Sequence, residues 1–365
     1  MSLRLIHYAP DIVTAQDNFD LPGIERFSNY FKIYGHGVVP NDRTGTIRFP
    51  VRTTSLFPMP AFRPIAKTFE EICDERAREL LARAEKMRVS LYTFWSGGID
   101  STLVLVSLLK RATPEQKKHI VVLMSEESIT ENPNFYRDHI RGKLRVESSA
   151  GFPLLLGGTH LIVNGEHNDQ IFGSDIVAKF IGMFGARAMH QPYSRDTVRA
   201  FYNSFLKDDA AANFYVDMFE RVKAASPVPI DSNYLFFWWI NFALKWQTVS
   251  LRTLTFASLR AAKNITLEYA MNTYAPFYRT EDFQLWSMSN LDKKIKDEWR
   301  TYKWVCKDII YDYTKDAEYR DNKIKRGSLH FLITQQKVWP FIDEQFNFFE
   351  TMDRTQYYES KNDFI

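Results

Sequence analysis

The sequence predicts an α/β protein: a parallel sheet with helices on both faces, a helical C-terminal part and a small β-rich N-terminal piece. Three observations lead there. From residue 89 onward, short apolar runs that read as strands alternate with helical segments, the pattern of a parallel sheet. One of those strands runs into a Ser-Gly-Gly turn and straight on into an apolar helix, over residues 91–110. The chain has 365 residues, 45% of them apolar and 25% charged, which suits a folded protein with a large core and excludes a disordered or collagen-like one.

The first 66 residues read as short strands at 4–9, 31–39 and 46–52, broken by Gly35, Gly37 and the run Pro58-Met-Pro-Ala-Phe-Arg-Pro64. That proline cluster separates a cap or interface region (1–66) from the main domain (67–337), and an aromatic, acidic tail follows at 338–365. A helix is expected over 68–87, where Phe69, Ile72, Cys73, Leu80, Leu81 and Ala84 recur at helical spacing. Strands are then expected at 89–95, 119–125, 143–147 and 160–164. Helices are expected at 101–110, 133–141 and 169–184, and the chain beyond Asp196 reads as mostly helical up to about residue 313, including a helix over 299–310.

Composition narrows the function classes. Lys plus Arg (47) nearly balance Asp plus Glu (44), so a net charge of +3 argues against a nucleic-acid partner. Two cysteines, Cys73 and Cys306, make neither a disulfide framework nor a zinc site, and both read as packing residues. A reducing, cytoplasmic setting is the expectation. No signal peptide is read at the start, and the apolar run 235–244 is about half a membrane span, so no membrane partner is expected.

The stretch that carries chemistry is Trp95-Ser96-Gly97-Gly98-Ile99-Asp100-Ser101-Thr102. Two glycines let the backbone turn tightly and approach a ligand. Amides at the start of the following helix, and its positive dipole end, favour an anion such as phosphate. The hydroxyls of Ser96, Ser101 and Thr102 add donors. Asp100 would repel a bare phosphate, which suggests a bridging Mg²⁺.

This segment resembles the pyrophosphate-binding loop of the N-type ATP pyrophosphatases, the PP-loop superfamily. No Gly-x-x-x-x-Gly-Lys-Ser/Thr motif occurs, so the Walker nucleotide loop is excluded. Within the superfamily, three further stretches resemble the synthetase domain of asparagine synthetase and of β-lactam synthetase. Asn164-Gly165-Glu166-His167-Asn168-Asp169-Gln170-Ile171-Phe172-Gly173 is similar to Gly-Glu-Gly-Ser-Asp-Glu-x-Phe-Gly after a strand. Ala275-Pro276-Phe277-Tyr278-Arg279 is similar to Val-Pro-Phe-Leu-Asp, and Lys323-Ile324-Lys325-Arg326-Gly327 to Arg-Pro-Lys-x-Gly. The four stand in the family's order over about 68–327. His167 replaces a glycine, Asn168 a serine and Gln170 a glutamate, which points to a different acceptor pocket.

The resemblance implies an adenine-nucleotide α-hydrolase-like fold with ATP and Mg²⁺ as cofactors. Ser96, Gly97, Gly98, Ser101 and Thr102 would hold the phosphates that leave as pyrophosphate, and Asp100 and Asp169 would bind Mg²⁺. Backbone at Leu123, Met124 and Ser125, and at Asn164 and Gly165, would flank the adenine. Glu166 would face the acyl carbon and orient or deprotonate the incoming nitrogen. Lys325 would neutralise the α-phosphate, beside Lys323 where the family carries arginine. A lone histidine at 167 reads as a hydrogen-bonded wall rather than a base.

The implied activity is an AMP- and pyrophosphate-forming ligase that adenylates a carboxylate and transfers it to ammonia or an amine. Asparagine synthetase draws ammonia from glutamine with an N-terminal cysteine; here residue 2 is Ser2 and no cysteine precedes Cys73. The expectation is therefore a glutamine-independent enzyme that takes small-molecule substrates, with room for a separate ammonia-supplying partner and for a homo-oligomer. Two alternatives stay open: a PP-loop enzyme that adenylates a nucleobase or tRNA base carbonyl, and a non-catalytic nucleotide-binding module. The separation of Cys73 and Cys306 in sequence argues against sulfur transfer.

Overall fold

Five strands, β1 (Leu91–Phe94), β2 (Ile120–Met124), β3 (Arg145–Ser148), β4 (Leu161–Asn164) and β5 (Tyr274–Pro276), organise the fold in a computed structural model that describes residues 41–47, 55–173, 175–256 and 264–324. They pair in parallel throughout, in the order β3-β2-β1-β4-β5. Every residue of β1, β2, β4 and β5 is buried. Successive side chains leave a strand on opposite faces, so this burial means that both faces of the sheet are covered. Unbroken apolar runs such as Ile-Val-Val-Leu-Met in β2 are what such burial demands.

The register brings the carboxyl ends together: Leu91 pairs with both Ile120 and Leu161, and Phe94 with Leu123. From β1 the chain adds β2 and β3 on one side, then crosses to add β4 and β5 on the other. The reversal point lies between β1 and β4, where open α/β sheets form a crevice at the strand ends.

The helices used below are α1 (Phe69–Met87), α2 (Ile99–Arg111), α3 (Glu126–Glu131), α4 (Asn168–Phe172), α5 (Asp175–Phe184), α6 (Asn233–Leu244), α7 (Trp246–Leu251), α8 (Glu281–Ser289), α9 (Trp304–Thr314) and α10 (Ala317–Asn322). A capping box starts α1: Thr68 Oγ1 accepts from the Glu71 amide, and the Glu71 carboxylate accepts from the Thr68 amide. Both α1 and α9 pack against α2. Every residue of α6 is buried, and among the described residues no helix is long and apolar enough to cross a membrane.

Several expectations change. The helix expected at 169–184 is two helices, because Gly173 breaks it at φ +153°; a Cβ there would stand 2.9 Å from the Tyr234 hydroxyl. The helix expected at 299–310 begins as a 3-10 turn, Trp299–Thr301, and α9 starts only after Lys303 in the left-handed region (φ 59°). At 133–141 a short helical turn passes into a π-helix, Tyr136–Ile140. Strand β5 was not expected, since the chain beyond Asp196 reads as mostly helical.

The expected strands at 4–9 and 31–39 and the tail at 338–365 lie outside the described residues, as does all of 46–52 but Thr46 and Ile47. Residues 41–47 form a turn in which the Asp42 carboxylate accepts from the amides of Thr44, Thr46 and Ile47. The next residue, Arg43, reaches across the fold. Its amide donates to Ala243 O, its guanidinium to Phe57 O, Phe242 O and Gln284 Oε1, and it lies over the rings of Phe242 and Trp246.

Candidate active site

The loop from Ser96 to Thr102 leaves β1 at the sheet's reversal point. Gly97 has φ +73°, and a Cβ there would lie 2.6 Å from Ser128 O and 2.9 Å from Glu131 Cβ, so α3 closes directly over the turn. Gly98 caps α2 in an extended conformation, and no side chain caps the helix. Ser101 Oγ meets Ser96 Oγ at 3.0 Å and accepts from the Ser96 amide at 3.0 Å, which ties the two sides of the turn together. Thr102 is turned inward: it is fully buried, and its Oγ1 accepts from the Trp95 indole at 3.1 Å. It braces the loop from beneath.

The β4 loop abuts this cradle. A Cβ on Gly165 would stand 3.1 Å from both Asp100 C and Ser101 N, so glycine lets the two loops touch without either shifting. Beside it, Asn164 Nδ2 donates to the Tyr274 hydroxyl at 2.5 Å, while its Oδ1 accepts from the Glu166 amide at 3.2 Å. At the end of β2, Met124 and Ser125 are fully buried, and the Ser125 amide donates to Ser128 Oγ at 3.1 Å.

Asp100 and Asp169 converge on Lys303, which stands between them. Its Nζ donates to Asp100 Oδ1 at 2.5 Å and to Asp169 Oδ1 at 2.6 Å. The Lys303 side chain is 0% exposed, that of Asp100 15% and that of Asp169 33%. Asn168 Nδ2 donates to the same Asp100 oxygen at 2.7 Å. Its own Oδ1 is buried and has no hydrogen-bond partner among the described residues.

Glu166 is buried, and both of its carboxylate oxygens accept from Arg252 Nη2, at 2.9 and 2.8 Å. His167 is the hydrogen-bonded wall expected of it. Its Nε2 sits 2.7 Å from Ser250 Oγ, and burial pushes its pKa well below the usual histidine range. Its φ of 78° explains why a glycine can stand at the matching position of the resembling motif.

On the far side, α10 leans over the cradle. The Tyr319 hydroxyl donates to Gly97 O at 3.0 Å. Lys323 Nζ pairs with Glu131 Oε1 at 2.8 Å, on the residue that covers Gly97. Lys325, the second lysine of that motif, lies outside the described residues.

The structure thus brings Ser96, Gly97, Gly98, Asp100, Ser101, Gly165 and Asp169 to one place. Sequence reasoning missed Lys303, Arg252 and Tyr319, each a single residue in an ordinary helical context with no local motif to mark it. It also treated the cysteines as remote. Cys73 and Cys306 are both buried and near enough to interact, and burial, then the neighbouring Cys306, drives the Cys73 thiol up. Neither is a thiol poised for reaction.

Do these residues fit Mg²⁺ and a nucleotide? Among the described residues, no three His, Cys, Asp or Glu side chains form a metal cluster. Mg²⁺, however, is commonly held by one or two carboxylates together with substrate phosphates. Asp100 and Asp169, with the unpaired Asn168 Oδ1 beside them, make an all-oxygen set of that kind. The group fits. Comparison of the sequence with protein-family models and with curated proteins gives no match.

Proposed function

We propose that the chain is an ATP-dependent ligase that forms AMP and pyrophosphate, adenylating a carboxylate and passing the acyl group to ammonia or an amine. The observation that carries this reading is the contact between two loops at the sheet's reversal point: a glycine turn leading into an uncapped helix start, and a β4 loop that sets Asp169 beside Asp100. Backbone amides and a helix dipole suit a leaving pyrophosphate, and a carboxylate pair suits the cation that accompanies it. Mg²⁺, held by Asp100 and Asp169, would neutralise phosphate charge. Ser96 and Ser101 would orient the phosphates, and Lys303 would add positive charge where it accumulates. Glu166, fixed by Arg252, would orient the amine.

The buried cysteines favour this reading over sulfur transfer. The test is an assay of α- and γ-labelled ATP with a panel of carboxylates and ammonium. AMP and pyrophosphate are the expected products, dependent on the carboxylate. ADP and phosphate would sink the proposal.

A further inference from the structure

We propose that Lys303 is the resident cation of the Asp100–Asp169 pair, and that it keeps a divalent ion out until the phosphates of a nucleotide take over its ammonium. Lys303 is fully buried and cannot turn to water, so its charge must be balanced where it stands. The two carboxylates do that, at 2.5 and 2.6 Å.

It cannot withdraw. Its left-handed backbone is fixed at the start of α9, its amide donates to Lys294 O, and its carbonyl accepts from the Lys307 amide. Behind it, Lys294 is a second fully buried lysine, whose Nζ is spent on Ile171 O and on Ser287 O and Oγ.

Among the described residues, two carboxylates and one ammonium give the pair a formal charge of −1. A free divalent ion must therefore break existing contacts and then sit against a like charge. A polyphosphate changes that balance, because it brings enough negative charge for the ammonium and the metal together. A second observation points to an alternative arrangement. Asn168 spends its amide N–H on the same Asp100 oxygen that holds Lys303, and leaves a buried Oδ1 unused, which is an oxygen a metal or its water could take. Metal binding then becomes dependent on nucleotide. This second half rests on the ligase reading above; the exclusion of free metal does not.

The probe is Mn²⁺, added to the full chain and followed by the loss of its free EPR signal. Without nucleotide, wild type should bind weakly, Lys303→Arg equally weakly, and Lys303→Met at least about 10-fold more tightly, since the site gains one unit of negative charge. Equal Mn²⁺ binding by wild type and Lys303→Met would overturn the proposal. With a non-hydrolysable ATP analogue, wild type should take up Mn²⁺ beyond what the same analogue chelates without protein; an analogue that binds without recruiting this extra metal would overturn the exchange. Analogue binding is read separately by equilibrium dialysis. If it is absent, the ligase reading falls while the nucleotide-free comparison still decides the role of Lys303. Should Lys303→Met fail to fold, ¹⁵N NMR of the wild-type lysine ammonium decides. The Lys303 signal should ignore Mg²⁺ alone and move with Mg²⁺ plus analogue, and movement with Mg²⁺ alone refutes the idea.

Discussion

Asp100 is tied into the fold as well as standing in the proposed metal site. A substitution there would ordinarily be chosen to remove a metal site and spare the fold, yet this carboxylate also accepts from a fully buried lysine and from Asn168. Breaking a buried ion pair costs about 3–5 kcal/mol when one partner is left bare. Lys303 would keep Asp169, so Asp100→Asn should cost about 3 kcal/mol, at the lower end of that range. Asp169 is one-third exposed, and Asp169→Asn should cost about 1 kcal/mol or less. Urea denaturation checks the order, and a larger loss for Asp169→Asn would show that Lys303 rests mainly on the outer carboxylate. His167 gives a pH signature. Burial lowers its folded pKa below the unfolded value of about 6.5, so the unfolded chain takes up the proton first. The stabilisation is intact above that value and is lost as pH falls towards the folded pKa. His139, also lowered by burial, acts in the same direction. The useful comparison is therefore with His167→Asn, whose side chain tolerates φ 78°. Its denaturation midpoint should fall less between pH 7 and pH 5 than that of wild type.

At the scale of elements, α10 is the piece that holds the cradle from outside. It is only six residues long and carries Asp316 as its cap. Its hold comes from Tyr319 on Gly97 O and from Lys323 on Glu131. Tyr319→Phe keeps the ring and removes the donor, leaving a buried carbonyl short of its partner. A cost of about 1 kcal/mol in stability is expected. A several-fold weaker affinity for an ATP analogue should accompany it, measured by titration calorimetry; unchanged affinity would show that the turn is held by its own serines. The strands and α1 were legible in the sequence because their signal is local, in apolar runs, helical spacing and the Thr68–Glu71 box. The break at Gly173 was not, because its cause is a tyrosine hydroxyl brought in by α6. Nor was β5, whose three residues become a strand only when β4 is beside them.

For the whole molecule, the same distinction separates the legible half of the site from the rest. Ser96 to Ser101 and Glu166 to Asp169 follow strands directly, so parallel pairing alone delivers them to one end of the sheet. Lys303, Arg252 and Tyr319 arrive through tertiary packing, with partners 134, 86 and 222 residues away. Arg43 is the most far-reaching of these links. Arg43→Ala removes its guanidinium hydrogen bonds and two ring contacts, at about 1 kcal/mol per bond and somewhat less per ring. A loss of about 2–4 kcal/mol is expected, spread over one cooperative transition monitored by both fluorescence and circular dichroism. Probes that separate in the variant would show that residues 41–47 fold on their own account.

That arginine also sets a clock on synthesis. Its acceptor Gln284 lies 241 residues further along the chain. At a translation rate of about 5–20 residues per second, Arg43 leaves the ribosome about 12–48 s before its partner exists. Over that interval the turn at Asp42 can form, but the guanidinium has no seat. β4 likewise waits for β5, across 110 residues, with one edge unpaired. Closure of this fold consequently waits until most of these elements have been made, and a nascent molecule stalled before residue 274 would present an open sheet edge to whatever chaperone or neighbouring chain it meets.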